Sequence, residues 1–256
     1  MVNPADITAR VRPWFAELRP LLLSGWRQAV ANEQKADGTP VTAVDKAVEQ
    51  ALRARITAAF PDHGIDGEEF GLSNGASPWR WYLDPLDGTK AYLSGSPLFG
   101  TLLGLWHGDT PVWGACYLPV PDELYIGHAG GAWCNETPLR AASLSVLEDA
   151  ILAATAPEIF NAAEGVRFQQ LQQHVRFTRW GGDCSTYTDL AAGRVHVVME
   201  AGLKPQDILP LVPLLTAAGA TITDWNGQWL RPGKDTYATL TSSSKNIHKQ
   251  ALKIIS

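Results

Sequence analysis

Cysteine is scarce in this chain of 256 residues: Cys116, Cys134 and Cys184 are the only three, odd in number and far apart. They make neither a disulfide framework nor a zinc-ribbon spacing, so reduced structural thiols in a cytoplasm are expected. Runs of Lys or Arg are also missing, and a net charge of −5 leaves little with which to displace counterions from a nucleic-acid backbone. No aromatic–basic stripe is present either. The longest early apolar run, residues 21–23, is far too short for a signal sequence or a membrane span, and no basic-then-apolar pattern precedes it. Internal repeats and low-complexity segments are absent. What remains is an expectation of an intracellular soluble protein.

The residues present can build a sizeable core. Hydrophobic residues make up 45%, charged residues 18%, and ten Trp bring large apolar area. At this length one large or two small domains bury roughly 70–75% of the unfolded surface. Residues 5–31 have helical spacing interrupted by Pro13 and Pro20, which predicts two helices or one bent helix. Residues 33–40 have loop composition and suit a mobile loop. Thr42-Ala43-Val44-Asp45 has the form of a capping box, and Val44, Val48, Leu52, Ile56 and Ala59 then recur on one face of a helix ended by Pro61. Strands are expected at 65–69 and 79–83, followed by an antiparallel meander at 98–106, 111–118 and 123–128.

Near residues 135–143 the pattern changes from hairpins to alternating helix and strand, which divides the chain into subdomains 1–142 and 143–256. Beyond it the sequence predicts a strand or short helix at 147–155, a helix at 164–174, a strand at 175–179 and a helix at 185–192. A buried strand at 195–199 closed by Glu200, a helix at 208–218, strands at 221–224 and 237–241 and a last helix at 243–255 complete the pattern.

The stretch WYLDPLDGTKAY, residues 81–92, gathers what metal-assisted phosphate chemistry needs. Pro85 disfavours helix at Asp84 and helps the chain turn, so Asp84 and Asp87 can leave one corner together. Gly88 permits a tight backbone, and Thr89 supplies a hydroxyl where a following helix or turn presents N–H groups to an anion. Taken alone, an ordinary surface turn accounts for these residues equally well. The other acids also have ordinary readings one at a time. Asp45 and Asp207 suit helix starts, the pair Glu68 and Glu69 suits a solvated edge, and Glu200 a solvated strand terminus. As a set they are harder to dismiss, because Glu68, Asp84, Asp87 and Asp207 all fall at predicted strand ends or helix starts, where side chains from separate elements can converge.

This ordered set, an acidic pair, then Asp-Pro-Leu-Asp-Gly-Thr, then an Asp at a distant helix start, resembles the inositol monophosphatase superfamily of magnesium-dependent phosphatases, from Lys35 to about Asp224. The segments QKADGTPVTAVD, DPLDGTKAYLSGSPLFGTLLGL, RWGGDCSTY and EAGLKPQDILPLVPLLTAAGATITDW are similar to the histidinol-phosphate phosphatase branch. The resemblance implies a layered αβαβα sandwich, with the site between an N-terminal α+β part and a C-terminal α/β part. It implies two or three Mg²⁺ ions held by Glu68, Asp84, Asp87, Asp207 and the Leu86 carbonyl. Thr89 and Asp45, with Glu68, would orient and deprotonate the attacking water, and the N–H groups of Gly88 and Thr89 would hold phosphate. A homodimer is an expectation from the resemblance alone.

For substrate choice, Asp183 and Glu200 are carboxylates that could pair with the ammonium and imidazole of histidinol phosphate. Asp207 is placed at the substrate as well. Inositol 1-phosphate or another small sugar or polyol phosphate is the alternative substrate, and a catalytically dead relative the alternative class. Three positions depart from the pattern: Gln206 stands where relatives carry an aromatic, Asn135-Glu136 replaces a common Asn-Gly, and Ser96 replaces a frequent basic residue.

Overall fold

The computed structural model describes residues 3–28, 32–34 and 40–256, with side chains at 3–28 and 42–256. Helix α1 (Pro4–Leu23) is one helix running through both Pro13 and Pro20, the second of the two expected arrangements, and it ends before the expected residue 31. Its stripe of Ile7, Val11, Phe15, Leu18 and Leu22 is buried, and that packing outweighs the hydrogen bonds the prolines remove. Strands β1 (Asn32–Gln34) and β2 (Pro40–Thr42) pair antiparallel. Both ends of the expected loop are therefore strand, and its middle, 35–39, lies outside the described residues. The capping box at Thr42 and Asp45 opens α2 (Ala43–Ala59) as expected.

The first sheet contains β3 (Gly64–Gly67), β4 (Gly71–Ser73), β5 (Trp79–Asp87), β6 (Gly100–His107), β7 (Thr110–Leu118), β8 (Glu123–His128), β9 (Gly131–Cys134) and β10 (Thr137–Pro138). Between β5 and β6 lies the short helix α3 (Thr89–Ser94). The order is β10-β9-β8-β7-β6-β5-β3-β4, and within it β3 runs parallel to β5 while the meander is antiparallel. Next come β11 (Ile151–Ala154), α4 (Ala162–Gln172), β12 (Phe177–Trp180), α5 (Asp183–Ala191), β13 (Val197–Leu203), α6 (Pro205–Ile208), α7 (Leu211–Ala217), β14 (Thr221–Asp224), β15 (Tyr237–Ser242) and α8 (Lys245–Ile255). Their five strands form a second sheet in the order β12-β11-β13-β15-β14.

Strand alternation sorts the core into layers. Trp81, Leu83, Leu103, Leu105, Ala115 and Tyr117 face α1 and α2. Their neighbours Tyr82, Leu102, Trp106 and Cys116 face α5 and α7 in a middle layer. Ala153 and Val198 reach that layer from the second sheet, whose opposite face, with Leu152, Val197 and Met199, packs with α4 and α8. The result is the expected αβαβα sandwich. All three cysteines are free thiols, with Cys116 and Cys184 buried. No described helix is long and apolar enough to cross a membrane.

The predicted helix 208–218 is broken into α6 and α7 at Leu209 and Pro210. Pro210 has no N–H to continue the ladder, and the Leu209 carbonyl accepts the Trp106 Nε1–H at 3.0 Å. This junction lies directly on the first sheet because Gly104, Gly114 and Gly127 stand side by side in register across β6, β7 and β8. A Cβ at Gly114 would lie 2.1 Å from the Pro210 carbonyl oxygen, and one at Gly127 2.2 Å from the Leu214 Cα. The glycine row thus sets how closely the Asp207 segment approaches the sheet that carries Asp84. Gly114→Ala is expected to lower the unfolding free energy by about 1–3 kcal/mol or more, as overpacking against backbone does. Denaturant unfolding measures it, and an unchanged midpoint would show that the junction yields freely.

Candidate active site

Residues from both sheets line one cavity of about 270 Å³: Glu68, Asp84, Leu86, Asp87, Gly88, Thr89, Asp183, Glu200 and Asp207, with Lys90, Thr155, Tyr187, Cys184 and Lys204. Every predicted site residue except Asp45 is on this wall. The parallel register of β3 with β5 explains Glu68 and Asp84: Gly67 pairs with Leu83, so the next residue of each strand leaves at the same sheet end. The Glu68 N–H also donates to the Leu83 carbonyl at 3.1 Å. A register shift between Asp84 and Asp87 lets the chain turn at Pro85, and the Leu86 N–H donates to Asp84 Oδ1 at 2.9 Å.

Gly88 adopts φ +86°, in the region that favours glycine, and starts α3. A Cβ there would come within 3.2 Å of Asp183 Oδ2, so the turn and the start of α5 are in close contact. The Cys184 N–H donates to Asp87 Oδ2 at 2.6 Å, which ties the two halves together beside that carboxylate.

Asp45 stands behind the wall, fully buried. Its Oδ2 accepts the Thr42 N–H at 2.9 Å as the capping box requires, while its Oδ1 lies 3.4 Å from Thr89 Oγ1. The Thr89 hydroxyl is also 3.2 Å from the Leu86 carbonyl. Asp207 repeats the arrangement in the third position of α6, where its Oδ2 accepts the Lys204 N–H at 2.8 Å. For both acids the capping bond leaves the second carboxylate oxygen uncommitted to the helix start.

Glu200 corrects an expectation. It is not a solvated strand end: β13 continues to Leu203, and Glu200 is 2% exposed and accepts the Thr155 N–H at 2.6 Å. Burial pushes its carboxyl up to about 8, helped by the charges of Asp183 and Asp207. Burial also raises Asp183 to about 6 against the opposing pull of Lys90. Asp84 is pushed well above the carboxylate range by burial, then by Glu68, Asp87 and Asp207. Asp87 is pushed well above it by burial, then by Asp183 and Asp207, although the Cys184 N–H draws it back.

Several residues here escaped the sequence reading. Lys204 Nζ is 3.6 Å from Glu68 Oε1, and its place just before Pro205 at a helix start was the available signal. Gln206, the departure from the aromatic pattern, donates from Nε2 to Asp66 Oδ1 at 2.6 Å, bridging α6 to β3. Thr155 and Tyr187 gave no sequence signal, since their role depends on the sheet packing. Among the described residues no three acidic, His or Cys side chains close into a ready metal cage. Glu68, Asp84, Asp87 and Asp207 share the cavity wall without closing on one point.

Residues 7–256 match the model of the inositol monophosphatase family. The chain is 36% identical over 228 residues to the bifunctional phosphatase IMPL2, chloroplastic, of Arabidopsis thaliana, covering 86% of this chain and 66% of that protein, just under two thirds of its length. It is 30% identical over 204 residues to the histidinol-phosphatase of Chlorobaculum parvum, covering 79% of each. An inositol monophosphatase structure from Zymomonas mobilis superposes with a TM-score of 0.90 at 30% identity, over 100% of this chain and 99% of that one. With the DPLDGT turn, the acids around it and the layered sandwich, these matches show that the chain belongs to the inositol monophosphatase family of phosphatases.

Proposed function

We propose that this phosphatase is a Mg²⁺-dependent phosphomonoesterase that hydrolyses histidinol phosphate to histidinol and phosphate. The observation that carries the substrate is the pair Asp183 and Glu200, two carboxyls lining the same cavity as the DPLDGT turn. The histidinol-phosphatase name of a relative supports the same reading. Residues 1–142 then supply the phosphate turn and most of the ion-binding acids, and residues 143–256 supply Asp207 and the selecting carboxyls.

Glu68, Asp84, Asp87, Asp207 and the Leu86 carbonyl would hold the ions. The fit rests on the donor set: hard oxygen donors, with burial and then neighbouring like charges driving Asp84 and Asp87 toward protonation unless positive charge joins them. When bound, Mg²⁺ neutralises phosphate charge, makes water a better nucleophile and stabilises the departing alkoxide. The Thr89 hydroxyl orients the attacking water, with Asp45 as its partner at 3.4 Å and Glu68 as the further base. N–H groups at Gly88 and Thr89, in the first turn of α3, bind phosphate oxygens that gain charge in the transition state. The water oxygen forms a bond to phosphorus, the ester P–O bond breaks, and the departing alkoxide takes up the proton that the attacking water gives up.

A neutral polyol gives Asp183 and Glu200 less to do. Glu200, held protonated up to about pH 8 by burial, can still donate to a hydroxyl, and this favours inositol phosphate as the second reading. An ammonium placed beside it lowers its pKa and holds it ionised.

Two predictions follow from these charges. Asp183→Asn and Glu200→Gln should raise KM for histidinol phosphate roughly 10- to 150-fold, the scale of about 1.5–3 kcal/mol for a hydrogen bond to a charged group. The same variants should change inositol 1-phosphate turnover far less; equal turnover of both esters by the native chain contradicts the substrate assignment. The second concerns stability. Asp183 and Glu200 hold protons in the folded state that the unfolded chain releases near pH 4. Their contribution is complete below that pH and is lost as pH rises through about 6 for Asp183 and about 8 for Glu200. Without divalent ions the thermal midpoint should fall across this window, and saturating Mg²⁺ should flatten the fall. A slope unchanged by Mg²⁺ in thermal melts would count against an ion among these carboxylates.

A further inference from the structure

Glu49 is a fully buried carboxylate outside the cavity wall that the mechanism above does not use. It lies on α2 one helical turn after Asp45, so the two project from the same side of the helix. Its Oε2 accepts the Glu69 N–H at 2.7 Å and its Oε1 the Phe70 N–H at 3.1 Å. Arg53, a further turn along, donates from Nε to Glu49 Oε1 at 2.8 Å. The same guanidinium donates to Ser73 Oγ at 3.2 Å and to the Gly71 carbonyl.

These contacts enclose one turn of chain. Residues 68–70 link β3 to β4, and the Glu68 N–H is tied to β5 through the Leu83 carbonyl. On the other side, the next two N–H groups are held by Glu49. Gly67 leaves the room this requires: a Cβ there would lie 2.1 Å from Glu49 Oε1. Two adjacent N–H groups turned inward need an acceptor, and a carboxylate with an Arg partner supplies both oxygens without leaving a lone buried charge.

We propose that Glu49 is a positioning residue, which fixes the peptide after Glu68 and so aims the Glu68 carboxylate into the cavity. One face of α2 then sets both sides of the site, Asp45 holding Thr89 and Glu49 holding the Glu68 turn. The proposal rests on the reading of Glu68 as an ion-binding group.

Calorimetric titration with Mg²⁺ of the native chain and of Glu49→Ala, Glu49→Gln, Leu52→Ala and Glu68→Gln tests it, alongside the Mg²⁺ concentration for half-maximal phosphate release. Glu49→Ala should weaken Mg²⁺ binding about tenfold or more and raise that concentration equally, with KM at saturating Mg²⁺ within about twofold. Glu49→Gln, whose amide oxygen still accepts one N–H, should fall between. Leu52→Ala, in the apolar core of the same helix, should lower the melting temperature with Mg²⁺ affinity retained. Native affinity in Glu49→Ala, or an equal loss in Leu52→Ala, overturns the proposal. If Glu49→Ala does not fold, Arg53→Met, which removes the partner of the carboxylate, must weaken binding at least threefold, and native affinity there overturns it. Should Glu68→Gln bind Mg²⁺ as the native chain does, the role of Glu68 itself fails, a result distinct from failure at Glu49 alone.

Discussion

Burial of several carboxylates in one cavity, and their mutual repulsion on top of it, is what this structure has to hold against. Burial raises both Asp84 and Asp87, and to it Glu68, Asp87 and Asp207 add for Asp84, Asp183 and Asp207 for Asp87. Nothing local would keep such groups together, so the two sheets do it. The parallel pair β3 and β5 delivers Glu68 and Asp84 to one end. The glycine row on β6, β7 and β8 lets the α6–α7 junction sit on the same sheet, which brings Asp207 within reach. The Cys184 N–H on Asp87 and the Gln206 amide on Asp66 fasten the halves on either side.

The acids are also used economically in a geometric sense. Asp45 and Asp207 each spend one oxygen on a helix start, and that bond fixes the direction of the other. Glu49 extends the principle from side chains to backbone. In each case an N–H group near a helix end or tight turn needs an acceptor, and satisfying it orients part of the site.

Much of this was legible in the sequence because it depends on short-range chemistry. The capping box at Thr42 and Asp45, the period-2 strands of the meander and the DPLDGT turn all follow from local residue order. The acids read as ordinary caps and turns one by one, and their order along the chain distinguished them. What the sequence concealed depends on tertiary contact. The unbroken α1 survives its prolines by burying a stripe against the sheet, the helix at 208–218 breaks where Pro210 meets the glycine row, and β13 runs past Glu200 because β15 pairs with it. In sequence Glu49 is one polar residue among others on α2. Arg53 stands at the i,i+4 spacing from it, but its other partners are backbone N–H groups of the turn at 68–70, which no side-chain pattern advertises.

The reading proposed above has the converging carboxylates hold an ion that the phosphatase reaction needs. The most direct measurement is phosphate release from histidinol phosphate with and without Mg²⁺, for the native chain and for Asp87→Asn. Native release should require Mg²⁺, and Asp87→Asn should fall at least about 100-fold, the scale of losing a group that stabilises transition-state charge. Release that persists in a chelator, or an Asp87→Asn variant as active as the native chain, would contradict it.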